Sequence, residues 1–107
     1  MALGRIHFAL AMMLVAAGGV PAHAETIQVS MEKMVLAPAE LNAKVGDTIA
    51  WVNNDILIHT ATARNGDWDV IIPIKKTVNV VLKKAGTIDY YCKYHPNMKG
   101  RIVVAPN

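Results

Sequence analysis

An all-β sandwich is the fold class predicted by residues 25–107. Three observations carry it: apolar residues recur with a period of two, glycine- and lysine-bearing turns separate the runs, and no stretch sustains a 3.6-residue period for three turns. The first run, "TIQVSM", sets Ile27, Val29 and Met31 on one face. Leu36 and Pro38 read as a connection into a short stretch around Leu41. After a turn at Lys44-Val45-Gly46-Asp47, "DTIAWVN" aligns Ile49 with Trp51. "WDVIIPI" predicts an edge strand, because Pro73 has no N–H for a central ladder. "TVNVVL" turns Val78, Val80 and Leu82 inward, and Lys83-Lys84-Ala85-Gly86 reverses the chain. "TIDYYC" then aligns Ile88, Tyr90 and Cys92, and "GRIVVAP" closes with Ile102 and Val104. Many short strands in one small domain predict an antiparallel sandwich.

The N-terminal segment has a different character. Arg5 and His7 precede the apolar run "FALAMMLVAAGGV", and Ala22-His23-Ala24 gives a small-x-small cleavage pattern. Residues 1–24 are therefore expected to be a cleaved secretory signal, leaving 25–107 as a single domain. The apolar run is shorter than a comfortable membrane span, and no basic stop-transfer cluster follows it. Removing Arg5 leaves ten basic residues against eight acidic ones, a net charge of about +2 with histidine neutral. That balance is too small for an electrostatic nucleic-acid surface.

Export makes the cysteine count informative. Cys92 is the only cysteine, so no intrachain disulfide can form. It is expected to be buried, metal-bound or paired with another chain. Its neighbourhood, "YYCKYHPNMKG", places His95 three residues on and Met98 three further, in a loop between two strands. His59, in "NNDILIHTATA", also falls near a strand end. Loops at one pole of a sandwich can converge despite the 33 residues between His59 and Cys92.

Two imidazoles and a thiolate, with a thioether as weak axial donor, form a set suited to type 1 copper. Structural zinc takes four Cys/His ligands and fits methionine poorly, while a catalytic zinc site needs an open position and a nearby base. Asp89 alternates onto the face opposite Cys92 and does not supply that base. A Cys92–His95 thiol enzyme, with Asn97 as orienting group, leaves Met98 without a role. A dithiol exchanger lacks its second cysteine.

These residues resemble the small blue copper proteins of the amicyanin/plastocyanin-like cupredoxin family. "GTIDYYCKYHPNMKGRIVV" resembles that family's last two strands and ligand loop, and "VLAPAELNAKVGDTIAWVNND" its earlier segment leading to the first histidine. The Cys-x2-His-x2-Met spacing is similar to the amicyanin-like branch. The resemblance implies a Greek-key β-sandwich with a copper site at one pole. It implies one Cu(I)/Cu(II) ion held by His59, Cys92, His95 and Met98, and one-electron transfer rather than an enzymatic turnover. Thr60 stands where family members commonly carry asparagine, and two roles are open to it: its hydroxyl links the two ligand loops, or its backbone alone does. Lys93 and Tyr94 replace a Thr-Pro pair, and Pro96 stiffens the loop.

The implied setting is the periplasm of a Gram-negative bacterium, where a monomeric carrier meets a c-type cytochrome or a periplasmic dehydrogenase. Lys93, Tyr94 and Lys99 are expected at the docking surface, their positive charge favouring an acidic partner. A copper chaperone or storage protein is the functional alternative. Trp51, Trp68 and Tyr90 are expected to pack or shield the core. Met31 and Met34 are expected to fill core or surface gaps, with a secondary Cu(I) contact as their other use. Gly100 is expected to permit the turn into the last strand.

Overall fold

The computed structural model describes residues 24–107. The expected leader therefore lies outside the described residues, except for Ala24. Nine strands follow in order: β1 (Thr26–Glu32), β2 (Val35–Ala37), β3 (Glu40–Lys44), β4 (Thr48–Asn53), β5 (His59–Ala63), β6 (Asp69–Ile72), β7 (Thr77–Val81), β8 (Gly86–Tyr91) and β9 (Lys99–Ala105). They form two sheets, ordered β2-β1-β4-β7 and β3-β9-β8-β5-β6. No helix occurs among the described residues.

Alternation set the inward faces correctly. Val29, Met31, Ile49, Trp51, Ile88, Tyr90, Ile102 and Val104 are all buried between the sheets. Val78 and Val80 are half-buried and pack against this core from β7, an edge strand. Burying each large apolar side chain contributes roughly 1.5–3 kcal/mol, which is why the two inner faces decide the fold. Trp51, Trp68 and Tyr90 form a ring cluster with centroid separations of 5.0, 5.3 and 5.6 Å. The Trp51 indole N–H donates to the Tyr90 hydroxyl at 3.2 Å, satisfying two polar atoms inside that cluster.

Three expectations change. The sandwich is mixed rather than antiparallel: β1 pairs parallel with β4 and β3 parallel with β9. The alternating pattern of a strand is the same in either direction, so periodicity could not separate them. Leu36 lies within β2, which pairs antiparallel with β1 through Met31↔Leu36. Gly100 is already inside β9, opposite Tyr90. A Cβ there would stand 2.6 Å from the Tyr90 ring, so glycine makes room for the aromatic cluster rather than for a turn. Gly46, with φ of 101° between β3 and β4, is a glycine that a turn does require. Pro73 follows β6 directly, and β6 is an edge strand as expected.

Candidate metal centre

Two connections at one end of the sandwich bring the donors together. The β4–β5 connection delivers His59 as the first residue of β5, where it pairs with Ile72. The β8–β9 connection begins with Cys92, just beyond the end of β8. That loop is wound tightly by its own backbone. His95 N–H donates to Cys92 C=O at 3.2 Å, Met98 N–H to His95 C=O at 2.8 Å, and Cys92 N–H to Met98 C=O at 3.0 Å. The three-residue spacing is thus what closes successive turns, with Pro96 occupying a position that donates no bond.

His59, Cys92 and His95 form a cluster whose candidate ligand atoms all lie within 4.8 Å of one another. The Cys92 Sγ stands 3.8 Å from His59 Nδ1 and 3.7 Å from His95 Nδ1. Donors so spaced are close enough for one ion to be held by all three. His59 and Cys92 are buried, and His95 is half-buried, so His95 is the outward member. Met98 is buried at 2% exposure beside them. The donor chemistry and its spacing fit one type 1 copper ion.

Asp55 was missed by sequence reasoning. Its Oδ2 accepts from His59 Nε2 at 2.7 Å. A carboxylate only accepts, so Nε2 carries the hydrogen, and in the neutral imidazole Nδ1 is the nitrogen with a free lone pair toward the cysteine. Asp55 also accepts the amides of Lys33 and Met34, at 2.6 and 3.2 Å. Burial pushes the Asp55 carboxyl up, but the His59 contact and these two amides together hold it below its usual range. The signal was an acid four residues before the histidine, in a loop where acids are ordinarily solvated.

Thr60 does link the two ligand segments. Its N–H points at Cys92 Sγ across 3.4 Å, and its hydroxyl accepts the Lys93 N–H at 2.9 Å. Such a donor to a thiolate withdraws charge from sulfur and fixes its position. The hydroxyl also contacts Thr62 Oγ1 at 3.0 Å, and Thr62 Oγ1 donates to Asp69 Oδ1 at 2.9 Å.

The expected docking residues separate. Tyr94 is exposed on the ligand loop, as is Pro96, which was expected to support that loop. The Lys93 ammonium is 2.6 Å from Asp69 Oδ2, so its charge is shared. Lys99 borders a polar cleft on the outer sheet face with Glu40, Arg64, Asp89 and Arg101. Asp89 is exposed and paired with Arg101 at 2.7 Å, confirming that it faces away from Cys92. Met31 is a core residue, whereas Met34 is 41% exposed and lines a shallow apolar depression with His95, Pro96, Asn97 and Met98.

Comparison with known proteins agrees with this geometry. A family described as the cupredoxin-like domain matches residues 5–104. Amicyanin of Paracoccus denitrificans is 34% identical over 84 residues, covering 73% of this chain and 64% of the relative, so the match spans just under two thirds of that protein. Amicyanin of Paracoccus versutus is 32% identical over 96 residues, covering 84% of this chain and 71% of the relative. The methylamine utilization protein MauL of Methylorubrum extorquens is 33% identical over 89 residues, covering 79% and 78%. The crystal structure of amicyanin from Paracoccus versutus superposes with a TM-score of 0.65 and 31% identity, over 82% of this chain and 87% of that one. Sandwich, donor cluster and sequence thus converge, and the chain belongs to the cupredoxin-like domain family.

Proposed function

We propose that this protein is a one-electron carrier of the periplasm, with His59, Cys92, His95 and Met98 as its copper ligands. The observation that carries the reading is the convergence of two imidazole nitrogens on one buried thiol at 3.7–3.8 Å. Copper bound there supplies the Cu(I)/Cu(II) couple. The chain's own residues hold the donors rigidly: Asp55 orients His59, Thr60 ties His59's strand to Cys92, and the wound loop seats His95 and Met98. Rigid donors limit rearrangement when charge changes, which suits repeated electron gain and loss better than ion exchange.

The surface supports transient protein contact. Ile56, Leu57 and Ile58 are exposed on the connection that leads into His59, and Met34, Tyr94 and Pro96 are exposed on the neighbouring turn and loop. Exposed large apolar residues gathered at one pole mark an interaction surface. Partners of the expected kind are a c-type cytochrome or a periplasmic dehydrogenase, which a monomer meets through the edge of His95. The charge of Lys93 on the ligand loop is shared with Asp69, so apolar contact dominates and charge adjusts the encounter rate.

The deciding experiment is a visible spectrum of the copper-loaded protein, followed by cyclic reduction and oxidation. An intense thiolate-to-Cu(II) band that bleaches and returns over many cycles is expected. Loss of copper to a competing chelator on each reduction, with no stable band, identifies a chaperone or storage protein instead.

A further inference from the structure

The pole opposite the donor cluster holds a second arrangement of interest. β4 runs from Thr48 there to Asn53, whose side-chain amide supports the β4–β5 connection by donating to Leu57 C=O at 2.9 Å. Asp47, just before β4, is only 2% exposed. Its Oδ1 accepts the backbone N–H of Glu25 at 2.9 Å, and its Oδ2 accepts the Lys44 N–H at 2.8 Å. The Lys44 ammonium stands further off, 3.7 Å from Oδ1. The carbonyl of Glu25 in turn accepts the Thr48 N–H at 2.8 Å, immediately before the parallel rung Thr26↔Thr48. Glu25 is thus held by its backbone on both sides, while its side chain and Ala24 are exposed.

The nitrogen that Asp47 holds belongs to the peptide bond between Ala24 and Glu25, the bond at which the small-x-small pattern ends. We propose that Asp47 is the receptor for the α-ammonium of Glu25, created when a signal peptidase hydrolyses the Ala24–Glu25 bond. Water is the co-reactant. Its hydroxyl goes to the Ala24 carbonyl carbon, a hydrogen goes to the Glu25 nitrogen, and that amine takes one further proton from solvent. A neutral amide with one donor becomes a cation with three, and the contact with Asp47, already a hydrogen bond to an ionised carboxylate, becomes an ion pair as well. A chain terminus ordinarily frays unless it is tied down. This one begins β1, an interior strand of the four-stranded sheet, so processing tightens the domain as well as freeing it. The inference stands apart from the copper reading, since Asp47 lies at the other pole.

The test exports the full chain with its own leader and takes the mass of the recovered protein, which is expected to begin at Glu25. A second protein carries one glycine inserted between Ala24 and Glu25, moving the ammonium by up to ~3.8 Å along the chain. Both are made again with Asp47→Asn, which keeps an acceptor oxygen and removes the charge. Denaturant unfolding at neutral pH is expected to show the insertion lowering the folding constant about tenfold beside Asp47, the advantage of a partly buried ion pair over an amide–carboxylate hydrogen bond. Beside asparagine the insertion is expected to cost little. A different mature start, no cost beside Asp47, or the same cost in both backgrounds overturns the proposal. Should the asparagine variants fail to accumulate, acylation of the α-amine decides between the two Asp47-containing proteins. Slower acylation at the authentic terminus supports the receptor, and equal rates overturn it.

Discussion

The ammonium of Lys93 and the carboxylate of Asp69, 2.6 Å apart, close a ring around the Cys92 loop. From Asp69 the ring runs through the hydroxyls of Thr62 and Thr60 and returns through the Lys93 backbone N–H. The carboxylate only accepts, so Thr62 donates to it, Thr60 donates to Thr62, and Lys93 N–H donates to Thr60. Every rotor in the ring therefore has one direction. Lys93, expected at a docking surface, also contacts β6 through Asp69 and β5 through Thr60. The Lys93 contact, then that of Thr62, holds the Asp69 carboxyl below its usual range.

Thr62→Val keeps the shape of the side chain and removes the hydroxyl. The Lys93 amide is then expected to exchange its hydrogen about tenfold faster, the equivalent of one hydrogen bond. Thr62→Ser should restore the wild-type rate. Hydrogen exchange followed by NMR on the Cu(I) form checks this, and equal rates in all three proteins would sink the ring as a positioning device.

Asp55→Asn tests the carboxylate behind His59. The amide no longer forces the hydrogen onto Nε2, so copper affinity is expected to fall by roughly 10–100-fold, the usual effect of losing such a partner. Competition with a chelator of known affinity measures it. Imidazole 15N shifts in the copper-free protein should show the Nε2–H tautomer of His59 losing its dominance.

Gly100→Ala places a methyl carbon 2.6 Å from the Tyr90 ring. Overpacking of this kind costs roughly 1–3 kcal/mol. Urea unfolding should report a loss of that size, and the loss should shrink in a Tyr90→Leu background, where the ring is absent. An equal penalty in both backgrounds would place the strain in the backbone of β9 instead.

Stability toward acid should depend on Asp47. The Glu25 N–H foremost, against the upward push of burial and with Lys44 assisting, holds its folded-state carboxyl below the usual carboxylate range. The unfolded chain then binds the proton more readily than the folded one, so stability rises with pH across this interval. The contribution is full above the unfolded value of ~3.9 and is lost as pH falls through the folded value. Unfolding curves between neutral and strongly acidic pH should show this limb, and Asp47→Asn should flatten it.

How much was legible in the sequence follows from what each signal encodes. Alternation reports which side of a strand is wet, so Ile49, Trp51, Ile102 and Val104 were placed correctly. It carries nothing about neighbours, so the parallel partners of β1 and β3 were invisible. β2 has three residues, too few for a period to show. The candidate donors at 59, 92 and 95 stood out because cysteine and histidine are scarce in the domain and sit at strand ends, and Met98 stood out by its spacing from them. Asp55, Thr62 and Asp69 did not, since common polar residues acquire meaning only from what the fold sets beside them. Gly100 was noticed for the wrong reason, because its neighbour is a ring across the ladder and not a residue along the chain.

The position of β9, flanked by β3 on one side and β8 on the other, sets an order of assembly. The final strand must arrive before the five-stranded sheet is continuous, and its partner β3 lies far back in the chain. Contacts of such long sequence separation form slowly. The tight loop carrying Cys92, His95 and Met98 is closed by the same hairpin. A chain emerging N-terminus first therefore carries His59 and Asp55 well before it has a thiol to face them. On the proposed copper reading, the donor set is complete only once β9 has closed that hairpin.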